Sequence, residues 1–223
     1  MLALRRGGGV ARVGTVYYVA PMAGRFSDDA ALLACVTRFV RERVHSLHAD
    51  VWHCIYAEPY APFPAILYAM ATIDLLEALV AGRVDRHAKT IDNDAAYLYW
   101  FMGYADEQSR ILQKVFRHKL VHLAAPPATI EDNGRVIAWR YVNAPNADHL
   151  SIKPLPPGSG VEPWPGWEVP CDHEFVLSIA QLVHDVSTSV ERPDGYLNRL
   201  ASDATLRTNC ERALEAIYDP TQA

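Results

Sequence analysis

The residues with the clearest chemical potential lie in one stretch, ILQKVFRHKLVHLAAPP, residues 111–127. It places Arg117, His118 and His122 within six positions, beside Lys114 and Lys119 and one turn beyond Arg110. So many cations suit a hydrophobic core poorly and suit the holding of a phosphate well. Guanidinium binds phosphate oxygens in a bidentate fork, and imidazole exchanges protons near neutral pH. Arg110, Lys114 and Lys119 are candidate phosphate contacts for RNA, and Arg117, His118 and His122 are the candidate reacting group.

The stretch continues an amphipathic pattern. Ile111, Leu112, Val115, Phe116, Leu120 and Leu123 form an apolar stripe at helical spacing. On an ideal wheel His118 and His122, four apart, share one edge of that stripe. Arg117 lies about 140° from His122. One helix does not aim both at one atom, so a second element, most simply a second subunit, must complete the site.

Composition sets the frame. The chain has 223 residues, half of them hydrophobic, and a net charge of −5. That supports a sizeable core and gives no global sign of nucleic-acid binding, so such a role needs a local basic patch. Cys35, Cys54, Cys171 and Cys210 are widely spaced and form no CxxC. A zinc cluster or a disulfide framework is not expected, and a reducing cytoplasm is. No metal or cofactor is expected either. The first residues lack the apolar run of a signal peptide, and no run approaches a membrane helix.

The elements that must position the site read as mainly α. Residues 1–26 form a flexible or extended lead. Ser27, Asp28 and Asp29 start a helix that runs to about His48; residues 52–60 are ambiguous. A second, apolar helix spans 65–82 and stops at Gly82; its Asp74 and Glu77 are the acids available to orient a histidine or arginine. Asp92-Asn93-Asp94 opens an aromatic segment over 95–102, with a kink at Gly103. Helix resumes over 107–123 until Pro126 and Pro127 end it. Residues 136–142 and 149–152 predict a β-hairpin across Pro145. The proline-rich loop 154–170 is expected to cover the bundle with Trp164 and Trp167, or to act as a lid or dimer arm. Asp172 opens a further helix, and short helices follow over 196–201 and 204–218. The divisions are a lead over 1–26, a helical core over 27–127, a β and proline-rich segment over 128–171, and helices over 172–223 that pack on the same domain.

Arg117-His118-Lys119-Leu120-Val121-His122, with the apolar helix and the aromatic helix before it, resembles the R-x4-6-H motif of HEPN domains, usually written RNxxxH. Here His118 stands where Asn is usual. The resemblance covers about residues 28–126. It implies an antiparallel helical bundle that dimerises, and for many members a metal-independent ribonuclease of toxin–antitoxin, phage-defence or RNA-processing systems. His122 would then take the 2′-hydroxyl proton, Arg117 would brace the phosphate, and His118 would orient the partner or contact phosphate, leaving a 2′,3′-cyclic phosphate. An inhibitory antitoxin protein is a further implied partner. The alternative is a non-catalytic HEPN-like module that binds nucleotide or protein. The two differ in whether Arg117 and His122 stand exposed in a shared cleft or are buried or splayed apart.

Overall fold

The computed structural model describes residues 26, 28–58, 60–83, 96–119 and 127–218, with His118 and Lys119 in their backbone only. The fold is mainly α with a small sheet. Helix α1, Asp29–Tyr56, is capped by the Asp28 carboxylate, which accepts from the Ala31 N–H at 2.9 Å. Its buried stripe, Leu32, Val36, Val40, Val44, Leu47, Val51 and Ile55, continues past His48. The helix therefore runs two turns beyond the expected end and absorbs most of the ambiguous segment.

Two prolines begin α2, Pro62–Ala81, where a missing N–H costs nothing. Gly82 ends it in the left-handed conformation, φ 71°. Helix α2 packs against α1 on one side and against α7, Ala204–Tyr218, on the other. By length and composition it could cross a membrane, against the expectation that no run approaches that length. Here Ile66, Met70, Ile73, Leu76 and Leu79 are instead buried inside the protein.

The aromatic segment forms only α3, Ala96–Trp100. The kink expected at Gly103 is a full break, with Gly103 at φ 74°. Helix α4, Asp106–Leu112, restarts the pattern and passes into a π-helical segment, Gln113–Lys119. The start expected at Asp92-Asn93-Asp94 and the end expected over 120–126 lie outside the described residues, as does the lead over 1–25.

The β region departs most from expectation. Four strands order as β1-β2-β6-β3: β1 is Thr129–Asp132, β2 Arg135–Val142, β3 Ile152–Pro154 and β6 His173–Ser178. Strand β2 does form, but its hairpin partner is β1, across Asn133-Gly134 with both φ values positive, as two-residue hairpin turns require. Its other neighbour is β6, in parallel, and β3 pairs antiparallel with β6. The helix expected from Asp172 is strand as far as Ser178, whose hydroxyl caps α5, Ile179–Glu191. Phe175, Val176 and Leu177 are all fully buried. A short apolar run buried on both faces carries no period that separates strand from helix. The proline-rich loop holds a second hairpin, β4 Gly160–Trp164 and β5 Trp167–Pro170. Its tryptophans are 68% and 64% exposed, so they do not cover the bundle. Helices α6, Tyr196–Ser202, and α7 match the two expected short helices.

Asn209 of α7 closes the end of α2. Its side-chain amide donates to the Val80 carbonyl at 2.9 Å, and a Cβ on Gly82 would lie 2.9 Å from the Asn209 Cα. Gly82→Ala is expected to destabilise the protein by at least ~1–2 kcal/mol, from the left-handed backbone alone, with the displaced helix adding to it. Urea denaturation of the two proteins measures this.

Candidate functional site

Arg117 projects from the π-helical segment toward α2. Its Nε lies 2.8 Å from Asp74 Oδ1, and the two side chains are only 8% and 15% exposed. One turn along α2, Glu77 accepts the Tyr97 N–H at 2.6 Å and so holds the start of α3. The two acids of α2 thus receive the returning chain at adjacent points. The α-helical wheel puts Arg117 on the solvent side, and two physical causes move it inward. The winding over Gln113–Lys119 is π rather than α, which changes the angle per residue. The sheet also covers a second side of the segment, with Phe116 edge-on to Trp139 of β2 at 5.3 Å. Gln113, Val115, Phe116 and Arg117 are all buried in consequence.

Arg110 and Lys114 converge on Asp132, at the end of β1. Arg110 donates from Nε and Nη2 to the two carboxylate oxygens, each at 3.0 Å, and Lys114 Nζ lies 2.7 Å from Oδ1. Arg110 also pairs with Asp106 at 2.8 Å, and Arg135 pairs with Glu107. Hydrogen bonds from Arg110, then from Lys114, hold the Asp132 carboxyl far below its ordinary range, while Asp132 raises the Arg110 guanidinium. Three cations meet three carboxylates here, so the patch is neutral as folded. Its evident work is to join α4 to the β1–β2 hairpin. Of the remaining candidates, the side chains of His118 and Lys119 and the whole of His122 lie outside the described residues.

A second polar cluster has no local motif to announce it. Tyr104 donates to Asp185 Oδ2 at 2.7 Å, and His149 Nε2 lies 3.3 Å from the Tyr104 hydroxyl. The Ser178 N–H donates to His149 Nδ1 at 3.0 Å, so the ring proton resides on Nε2. Gln181 steadies the other Asp185 oxygen at 2.8 Å. Leu150, next in the chain, has φ 58°, a conformation rare for a bulky residue. Burial lowers the His149 pKa to about 4, although Asp185 opposes the shift. Burial, and then Asp185, push the Tyr104 phenol upward. The three residues come from the α3–α4 junction, a loop and α5, distant in sequence, and no local spacing signals their meeting. Among the described residues, no three His, Cys, Asp or Glu side chains are arranged to hold a metal ion.

Two expectations follow. Arg117→Ala takes the guanidinium away from the largely buried Asp74 carboxylate and should cost ~3–5 kcal/mol. Replacing both, with Asp74→Leu and Arg117→Met, should recover most of that in a double-mutant cycle read by urea denaturation. His149 is depressed from 6.5 to about 4, so between those values the unfolded chain binds the extra proton. Stability then falls as pH falls through this window, by ~3 kcal/mol for this one group. The slope should flatten in His149→Gln, measured by denaturation from pH 7 to pH 4.

No family model, no curated protein and no solved structure matches this chain.

Proposed function

We propose that this chain is a HEPN-like helical bundle that works as a non-catalytic protein-binding module. The observation that carries this reading is the Arg117–Asp74 pair, held at 2.8 Å with both side chains largely buried. A guanidinium that braces a scissile phosphate has to meet RNA, and a carboxylate in that position competes with the phosphate for the same donors. Arg110 and Lys114 are engaged in the same way by Asp132. Three of the cations that would serve RNA cleavage therefore hold the fold together.

What supports binding is the set of large aromatic side chains left in solvent. Trp52 and Tyr56 lie one turn apart on α1 with ring centroids 4.2 Å apart, exposed by 61% and 49%. Tyr99 and Trp100 of α3 are each 61% exposed. Tryptophan and tyrosine in solvent are costly on a surface with no partner and are the residue types that anchor protein interfaces. The HEPN reading of the bundle rests on the R-x4-H spacing at Arg117 and His122 and on the order of long helix, apolar helix and motif-bearing helix.

Ribonuclease assay on mixed RNAs in chelator separates the readings. The binding module gives no cleavage above background, and wild type and His122→Ala are indistinguishable. Cleavage by wild type that leaves 2′,3′-cyclic ends and vanishes in His122→Ala overturns the proposal in favour of the nuclease.

A further inference from the structure

Exposed residues of α1 recur at spacings of three and four: Arg38, Arg41, His45, His48, Trp52 and Tyr56. On the helical wheel they fall within about 80° of one another, and they run roughly 27 Å along the helix. The strip is cationic or titratable at one end and aromatic at the other. Helix α5 lies beside it. Arg41 binds both carboxylate oxygens of Glu191, at 2.7 and 3.0 Å, and His48 Nε2 meets Ser187 Oγ at 2.5 Å. As α1 advances from 41 to 48 its partners step back from 191 to 187, so the two helices are antiparallel. That order brings His184 alongside the same strip, and its charge bears on His48 together with that of His45.

The charges around these imidazoles cancel until the imidazoles protonate. From α1 they are Arg38, Arg41 and the flanking Glu42; from α5 they are Glu191, beside the neutral Ser187 and Thr188. Asp185 is turned away to Tyr104, and Asp50 and His53 lie about 100° or more round α1 from Trp52. Arg41 and Glu191 neutralise each other, and Arg38 and Glu42 are opposite in sign. Each proton taken by His45, His48 or His184 therefore adds a net positive charge next to the Trp52–Tyr56 pair. Ser187 donates its own proton to the Val183 carbonyl at 2.9 Å, so it accepts from His48 Nε2, and Nδ1 is the atom that takes the second proton. Burial, then repulsion from His184 and His45, holds His48 below its ordinary pKa. A carboxylate brought against the cluster offsets that repulsion.

We propose that this strip docks an acidic segment of a partner protein, with Trp52 and Tyr56 taking its apolar side chains and His45, His48 and His184 tightening the grip as pH falls through neutrality. The inference rests on the reading of Trp52 and Tyr56 as a binding surface and adds the charge of the partner and its regulation. Carboxylates beside the imidazoles favour the protonated rings, so docking takes up protons. By linkage, a fall in pH then strengthens docking by the same coupling.

Fluorescence anisotropy of a labelled random copolymer of glutamate and tyrosine, titrated with the full chain, tests it. The copolymer stays ionised between roughly pH 8 and pH 6, while imidazole titrates there. Its dissociation constant should fall about tenfold from the higher to the lower pH, as three exposed ion pairs supply. His45→Gln/His48→Gln/His184→Gln should abolish that change, whereas His173→Gln, on β6, keeps it. Trp52→Ser/Tyr56→Ser should weaken binding about tenfold or more at both pH values. All these side chains but His173 are exposed, and circular dichroism should show every variant folded. A dissociation constant equal at both pH values, or one that still shifts in the triple variant, overturns the proposal; loss of the copolymer in Trp52→Ser/Tyr56→Ser then still supports a binding surface. Failure of the copolymer to bind at either pH overturns it, and so does tighter binding of a homopolymeric RNA at the lower pH. Ribonuclease activity, by contrast, sinks the binding-module reading and leaves this pH profile standing.

Discussion

An apolar helix that carries acids can be buried only if the rest of the chain brings partners to those acids. Helix α2 is that helix, and Asp74 and Glu77 are the constraint on which the surrounding structure depends. Without water the two carboxylates need donors, because an unpaired buried charge costs several kcal/mol. The Arg117 guanidinium supplies one and the backbone N–H of Tyr97 another. These two contacts dictate where α3 starts and which way the π-helical segment faces. They also explain why a helix hydrophobic enough to resemble a membrane span lies within a packed core: its few polar groups are matched by protein, not by lipid or water.

The same rule is applied again at Asp132. It closes the β1–β2 hairpin against α4 through Arg110, Lys114 and Arg135. The small sheet is thereby attached to the bundle along one edge by charge. Along its face it is attached by aromatic contact, with Trp139 meeting both Phe116 and Phe63. The basic composition of the motif-bearing helix thus has a structural use. Arg110, Lys114 and Arg117 lie where two layers of secondary structure meet, and the carboxylates of Asp132 and Asp74 that they bind come from other elements.

Much of the helical frame was legible in the residues. The caps at Asp28 and Gly82, the long apolar stripe of α1 and the break at Gly103 are local events. Each depends on the intrinsic geometry of one or two residues and on a repeat near 3.6. The strand β2 and the turn at Asn133-Gly134 are legible for the same reason. Their partners are not: an alternating run does not say which other strand it meets, and β2 found β1 and β6 instead of the segment around His149. Residues 173–178 form a strand where the sequence suggests helix, because a short run buried on both faces has no period to betray it. For the tryptophans of the proline-rich loop, composition leaves a cover, a lid and a dimer arm open, because it cannot tell a packed indole from one on a projecting ribbon.

By itself the sequence determined that the frame is mainly helical, that one helix starts at Asp28 and another stops at Gly82, which helix faces are apolar, and that arginine and histidine types crowd one segment before a pair of prolines. These follow from short-range sterics, capping and periodicity, which act between neighbours in the chain. Only the tertiary structure decided that Arg117 turns inward to Asp74, that Arg110 and Lys114 meet at Asp132, and that Tyr104, His149 and Asp185 share one buried network. Those partners are separated by 18 to 81 residues. Their pairing is set by the demand that each buried charge and hydrogen-bonding group be matched once the layers have packed. That demand arises only when distant segments exclude water together, so no local pattern of residues encodes it.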